Sequence, residues 1–135
     1  MRITVETKVD APVEAVWRAY TTPEAITQWN TASPDWHTTA ATVDLREGGA
    51  FSSRMEAKDG SMGFDFAGTY TRIVPHERIE YDFGDRKAEV VFEPGAGGMT
   101  VTVTFDAETT HSEAQQREGW QAILVNFSRY VEANR

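Results

Sequence analysis

His37, His76 and His111 are the only histidines in the chain, and there is no Cys beside them. They lie far apart in sequence. None belongs to an H-E-x-x-H pair, the spacing that sets two zinc ligands on one helical face with a general base between them. No metal site, and no cofactor, is expected from them. His76 stands in the turn signal Pro75-His76-Glu77, where a solvated side chain is expected, and His111 immediately precedes the last predicted helix. His37 is the one histidine with a candidate role. It follows Ser33-Pro34-Asp35-Trp36, and Asp35 two residues earlier could hold the imidazole in one tautomer, as a working general base requires.

Nucleophilic and phosphate chemistry have weaker footholds. No G-x-S-x-G elbow exists, and Gly60-Ser61-Met62-Gly63 reads as a hairpin instead of a strand-to-helix turn. Gly95-Ala96-Gly97-Gly98 resembles a phosphate cradle only in composition, since a strand follows it and supplies no helix N-terminus to face an anion. Asn126-Phe127-Ser128 fits a glycosylation pattern but falls within a predicted helix, so it is set aside. The expected set of catalytic residues is therefore empty.

Large aromatic side chains are what remain, with 4 Trp, 4 Tyr and 7 Phe. Their positions follow from the elements that carry them. Ile3, Val5, Thr7 and Val9 alternate with polar residues as in a half-buried strand. Asp10-Ala11-Pro12 then starts a short helix with Val13, Val16, Trp17 and Tyr20 on one face, and Thr22-Pro23-Glu24 starts a second that carries Ala25, Ile26 and Trp29 inward. The stretch from Asn30 to Thr39 has no clean period and reads as a loop. Six strands are predicted after it, over residues 42–46, 50–57, 62–74, 78–83 and 86–93, then the clean alternation of Met99, Val101, Val103 and Phe105. Ser112 can cap a helix running to about Glu132, with Trp120, Ile123, Leu124, Phe127, Tyr130 and Val131 at helical spacing.

In these strands Phe51, Ser53 and Met55 share a face, as do Phe64, Phe66, Gly68 and Tyr70, and Ile79, Tyr81 and Phe83. Gly68 is expected to leave space on its face. A meander of this kind can cover its concave side only with the helices. Trp29, Phe51, Phe66, Tyr81, Trp120, Leu124 and Phe127 are therefore the expected lining of an apolar cavity, with Trp36 and His37 at its rim. Tyr81 and Trp120 can orient a ligand through their O–H and N–H.

The order strand, two helices, six strands, long helix resembles the helix-grip fold of the START-like (SRPBCC) superfamily, an α+β fold. Within it the sequence is similar to the activator of heat-shock protein 90 ATPase homologue family. The likeness runs nearly end to end. It is carried by Asp10-Ala11-Pro12-Val13-Glu14-Ala15-Val16-Trp17, Pro23, Gln28-Trp29, Asp44-Leu45-Arg46-Glu47-Gly48-Gly49, Gly68-Thr69-Tyr70, Ile73-Val74-Pro75-His76-Glu77-Arg78-Ile79 and Glu118-Gly119-Trp120. At Asn30 the chain departs from the pattern, in which a bulky aromatic often follows the Trp. The resemblance implies a curved antiparallel sheet of about seven strands around the last helix, and a small apolar or aromatic ligand, lipid-like or polyketide-like, between them. It also implies two other readings: a cyclase or hydratase using the same cavity, and a chaperone-binding adaptor.

Length and charge narrow the partners. The 135 residues suit a single domain over 1–135, long enough to bury roughly two-thirds of its surface without staples. Thirteen Lys and Arg against 21 Asp and Glu leave a net charge of −8, which disfavours nucleic acid. No apolar run approaches the ~18 residues of a membrane span, and no leader is visible. With no Cys, the cytoplasm is the expected compartment, and the chain is expected to be a monomer or weak dimer.

Overall fold

Apolar and polar residues alternate along most of the strands, which pair into one curled sheet. The computed structural model describes all 135 residues. Its elements are β1 (Arg2–Val9), α1 (Val13–Thr21), α2 (Pro23–Trp29), β2 (Trp36–Val43), β3 (Ala50–Ala57), β4 (Gly63–Val74), β5 (Arg78–Phe83), β6 (Arg86–Gly95), β7 (Gly98–Asp106) and α3 (Glu113–Ala133). The seven strands are antiparallel in the order β1-β7-β6-β5-β4-β3-β2. This is the expected helix-grip fold: a half-barrel of strands with α3 against its concave side.

The helix starts follow from local chemistry. Pro12 is the N-cap of α1 and has no side-chain oxygen to accept, while α2 opens on Pro23 after Thr22, whose hydroxyl makes no cap bond. Ser112 caps α3: its Oγ accepts from the Gln115 N–H at 3.1 Å, while the Gln115 side chain accepts from the Ser112 N–H at 3.1 Å. This reciprocal pairing satisfies two donors that the first turn would otherwise leave open.

One boundary differs from expectation. The loop expected to reach Thr39 ends at Asp35, and β2 pairs with β3 from Trp36↔Ala57 to Val43↔Phe51. A bulge between Thr38 and Ala40 shifts the register and hides the period of two. Residues 44–49, part of which was expected to be strand, instead turn tightly, with the Arg46 N–H donating to the Asp44 carbonyl and the Gly49 N–H to that of Arg46. At the other end, β6 runs on to Gly95, so only Ala96 and Gly97 separate it from β7. Gly98 has φ +133, and a Cβ there would run into the Val9 carbonyl, so no other residue fits.

Both edges of the sheet are covered. On α3, Arg117, Gln121 and Ser128 donate to the carbonyls of Thr4 (2.9 Å), Glu6 (2.9 Å) and Lys8 (2.7 Å), every second residue of β1. These are the acceptors an edge strand leaves unpaired. At the opposite edge, α2 packs on β2, and the Thr38 hydroxyl donates to the Asn30 carbonyl at 2.5 Å. Between the edges lies a core of 24 buried residues, among them Ile3, Val16, Val90, Val101, Phe105 and Phe127. No helix is long and apolar enough to cross a membrane.

Candidate functional site: a cavity between the sheet and the last helix

Its hydrogen bonds to β1 hold α3 against that side of the half-barrel. Trp120 lies flat on Phe105 of β7, with ring centroids 3.9 Å apart and an interplanar angle of 9°. Strands β3, β4 and β5 curl away from the helix, helped by a bulge in β4 between Tyr70 and Arg72 that turns both Tyr70 and Ile73 inward. The side chains available there do not close the gap. A cavity of about 250 Å³ remains, and 14 of its 16 lining residues are hydrophobic.

Each wall comes from a different part of the chain. Phe51, Ser53, Met55, Phe66, Tyr70, Ile79 and Tyr81 form the floor, with Val103 of β7. Trp120, Ile123 and Leu124 form the roof, and Tyr20, Ile26 and Trp29 close the end beneath α1 and α2. Asn30 and the half-exposed Phe64 stand at the opening. The aromatic rings interlock by their edges. Phe51 meets Tyr81 at 5.0 Å and 82°, and Phe66 meets Trp120 at 6.2 Å and 77°. Such contacts hold the rings at fixed angles and so give the void a fixed shape.

Among the residues expected to line a cavity, Trp29, Phe51, Phe66, Tyr81, Trp120 and Leu124 surround this one. Phe127 does not. It is fully buried against Tyr20 (5.1 Å) and Trp29 (4.9 Å), because this half of α3 meets α1 and α2 and leaves no gap. Trp29 is both wall and support: its indole N–H donates to the Ala19 carbonyl at 2.9 Å, tying α2 to α1. Gly68 does not leave open space, since the Phe51 ring lies over it and a Cβ there would meet that ring at 2.8 Å.

The rim differs more. His37 is the second residue of β2, opposite Glu56, and its side chain is exposed, while Thr38 beside it is buried. Strand alternation puts these neighbours on opposite faces, which carries His37 away from the cavity. Asp35 is exposed in the turn before it. Trp36 does not border the cavity but packs on Phe64, centroids 5.8 Å apart, and so backs one side of the opening.

Sequence reasoning missed Tyr20, Tyr70 and Asn30 as lining residues. The departure at Asn30 was the available signal, since an amide where an aromatic is usual adds a polar group at the opening. No Asp, Glu, His, Lys or Arg lines the cavity, so the polar side-chain groups of its lining are the hydroxyls of Tyr20, Tyr70, Tyr81 and Ser53, the amide of Asn30 and the indole N–H of Trp120, that of Trp29 being held by Ala19. Burial pushes the Tyr70 phenol up to about 12 and the Tyr20 and Tyr81 phenols well above the ordinary range, with Tyr70 adding to the rise at Tyr20 and both adding to it at Tyr81. They are neutral hydrogen-bonding groups across the biological pH range.

A second depression of about 640 Å³ lies at the opposite end of β4 and β5, beside His76. Arg72, Glu77, Arg78 and Glu93 give it a charged, open lining. His76 is exposed there, at φ +67, with its ring edge on Trp17 at 5.8 Å. Although larger, it is a shallow solvated groove. The smaller cavity has the apolar walls and few convergent polar groups of a ligand site.

Comparison with known proteins agrees with this architecture. An AHSA1-like protein from Aeromonas hydrophila has 51% sequence identity and a TM-score of 0.93, over 99% of this chain and 94% of that one. A protein from Cytophaga hutchinsonii has 45% identity and a TM-score of 0.84, over 98% and 93%. A protein from Nitrosomonas europaea, at 22% identity and a TM-score of 0.87 over 99% and 96%, shares the fold. No curated protein matches the chain. The family model described as "Activator of Hsp90 ATPase homolog 1-like protein" matches residues 10–132, nearly the whole sequence, and the chain belongs to that family.

Proposed function

We propose that this protein binds a small apolar or aromatic molecule in the cavity between β3–β5 and α3, without transforming it. The observation that carries the reading is the lining itself: aromatic walls, a few neutral polar groups and no acid or base. Burial of an apolar ligand here would release water from aromatic surface, worth roughly 25 cal/mol per Å² removed from water. A cavity of about 150 Å³ lined by apolar side chains accommodates benzene, so about 250 Å³ has room for two fused rings.

The absence of a side chain able to take or deliver a proton at biological pH favours binding over cyclase or hydratase chemistry, since general acid–base catalysis needs a group that titrates near the working pH. A thermal-melt screen with fused-ring and fatty compounds tests the proposal. Ligand at 100 times its dissociation constant should add about 2.7 kcal/mol of apparent stability. A panel that produces no shift contradicts it.

A further inference from the structure

Tyr70 and Tyr81 stand directly opposite each other on β4 and β5, each about 7% exposed, and Tyr20 reaches the same cavity from α1. Opposed residues on an antiparallel pair have Cβ atoms roughly 5 Å apart, so both phenols rise from the same face of the sheet, and the Phe51 ring lies against each, 5.1 Å from Tyr70 and 5.0 Å from Tyr81. None of the three hydroxyls meets a hydrogen-bond partner in the protein, and Ser53, 5% exposed on the neighbouring strand, has none either. Yet no fully buried side-chain oxygen or nitrogen is left unpaired. The unpaired hydroxyls therefore keep some accessible surface, and all four residues line the cavity. Polar groups in so enclosed a lining are normally paired, so these are open to a polar group of a ligand.

The hydroxyls do not bond to one another. Each has one proton to donate and needs an acceptor for it. The lining offers no carboxylate, and its one side-chain amide, Asn30, stands at the opening. A ligand oxygen with two lone pairs can accept from two phenols at once. A charged acceptor suits the site poorly, because no Lys or Arg lines it and an unpaired buried anion is strongly disfavoured. Arg86, whose charge acts on Tyr81, does not line the cavity: it stacks on Phe83 at 4.5 Å and donates to the Asp106 carbonyl at 2.9 Å. We infer that Tyr20, Tyr70 and Tyr81 form a neutral donor cluster that selects aromatic ligands bearing an uncharged oxygen acceptor, such as a ketone, over their hydrocarbon and carboxylate counterparts. This rests on the binding function proposed above and adds the ligand class.

The test uses three probes on one skeleton, 2-acetylnaphthalene, 2-ethylnaphthalene and 2-naphthoate, titrated into the full chain and followed by amide chemical shifts. The ketone should bind about tenfold more tightly than the hydrocarbon, as two modest hydrogen bonds imply, and the carboxylate most weakly. In Tyr70→Phe/Tyr81→Phe the ketone should lose about tenfold while the hydrocarbon stays within about twofold. That variant removes only hydroxyls without protein partners, and a thermal melt checks that it folds. Equal binding of ketone and hydrocarbon, a preference that survives in the double variant, or tightest binding of the carboxylate would each overturn the donor cluster while leaving the cavity a binding site. If no probe binds, both readings fall.

Discussion

Trp120 of α3 lies parallel to Phe105 of β7 at a centroid separation of 3.9 Å, the closest of the aromatic contacts in the protein. The stack fixes how near the helix approaches the sheet at one end of the cavity. Phe66 and Phe83 then meet the same indole at 6.2 and 5.9 Å, so one side chain joins three strands to the helix.

Truncating this indole should therefore affect stability and ligand affinity together. Trp120→Ala is expected to cost about 3–5 kcal/mol in urea denaturation. A double-mutant cycle with Phe105→Leu should show a coupling of about 0.5–1.5 kcal/mol beyond the separate losses. Additive losses would mean that the stacked geometry contributes nothing of its own.

Leu124 and Phe127 are one turn apart on α3 but border different surroundings. Leu124 faces the cavity on one side, whereas Phe127 is enclosed by rings. Leu124→Ala should fall near 2 kcal/mol, the low end for such changes, because part of its surface already lacks neighbours. Phe127→Ala should approach 5 kcal/mol. Denaturation midpoints placing Leu124→Ala at or above Phe127→Ala would mean that no void exists beside Leu124.

The tyrosines make the fold sensitive to alkali. Their phenols ionise at higher pH in the folded chain than in the unfolded one, so the unfolded state loses these protons first. Stability is then fully present below about pH 10 and falls as pH rises toward the folded values, by up to about 1.4 kcal/mol per pH unit for each phenol. Urea denaturation between pH 9 and 12 should show a decline that is shallower in Tyr70→Phe/Tyr81→Phe. Parallel declines in the two proteins would contradict the burial of these hydroxyls.

His37 provides a control. Its exposed position on β2 predicts that His37→Ala leaves stability within about 0.5 kcal/mol and the affinity for 2-acetylnaphthalene within about tenfold. A larger loss, or conversion of the bound compound that disappears in the variant, would return this residue to the site.

Much of this architecture was legible in the residues. The alternation of Met99, Val101, Val103 and Phe105 and the spacing of Trp120, Leu124 and Val131 placed β7 and α3 closely, because a single dominant period governs each. β2 was not legible: the bulge after Thr38 breaks the alternation, and its inward Thr38 is satisfied by the Asn30 backbone, a partner no local pattern reveals. The floor residues Phe51, Phe66 and Tyr81 could be read from strand faces alone. Phe127 could not be separated from Leu124 that way, since both point inward and only the placement of α3 decides which meets a void. That placement involves Arg117, Gln121 and Ser128 on the carbonyls of β1, more than 100 residues away in sequence.

The most direct measurement is an amide chemical-shift map of the chain titrated with 2-ethylnaphthalene, which carries no polar group and so reports on the apolar cavity alone. Saturable shifts should gather on β3, β4 and β5 near Phe51, Phe66 and Tyr81 and on α3 from Trp120 to Leu124, with the charged groove around Arg72 and His76 unchanged. Shifts confined to that groove, or none at saturating hydrocarbon, would contradict a ligand site between the sheet and the last helix.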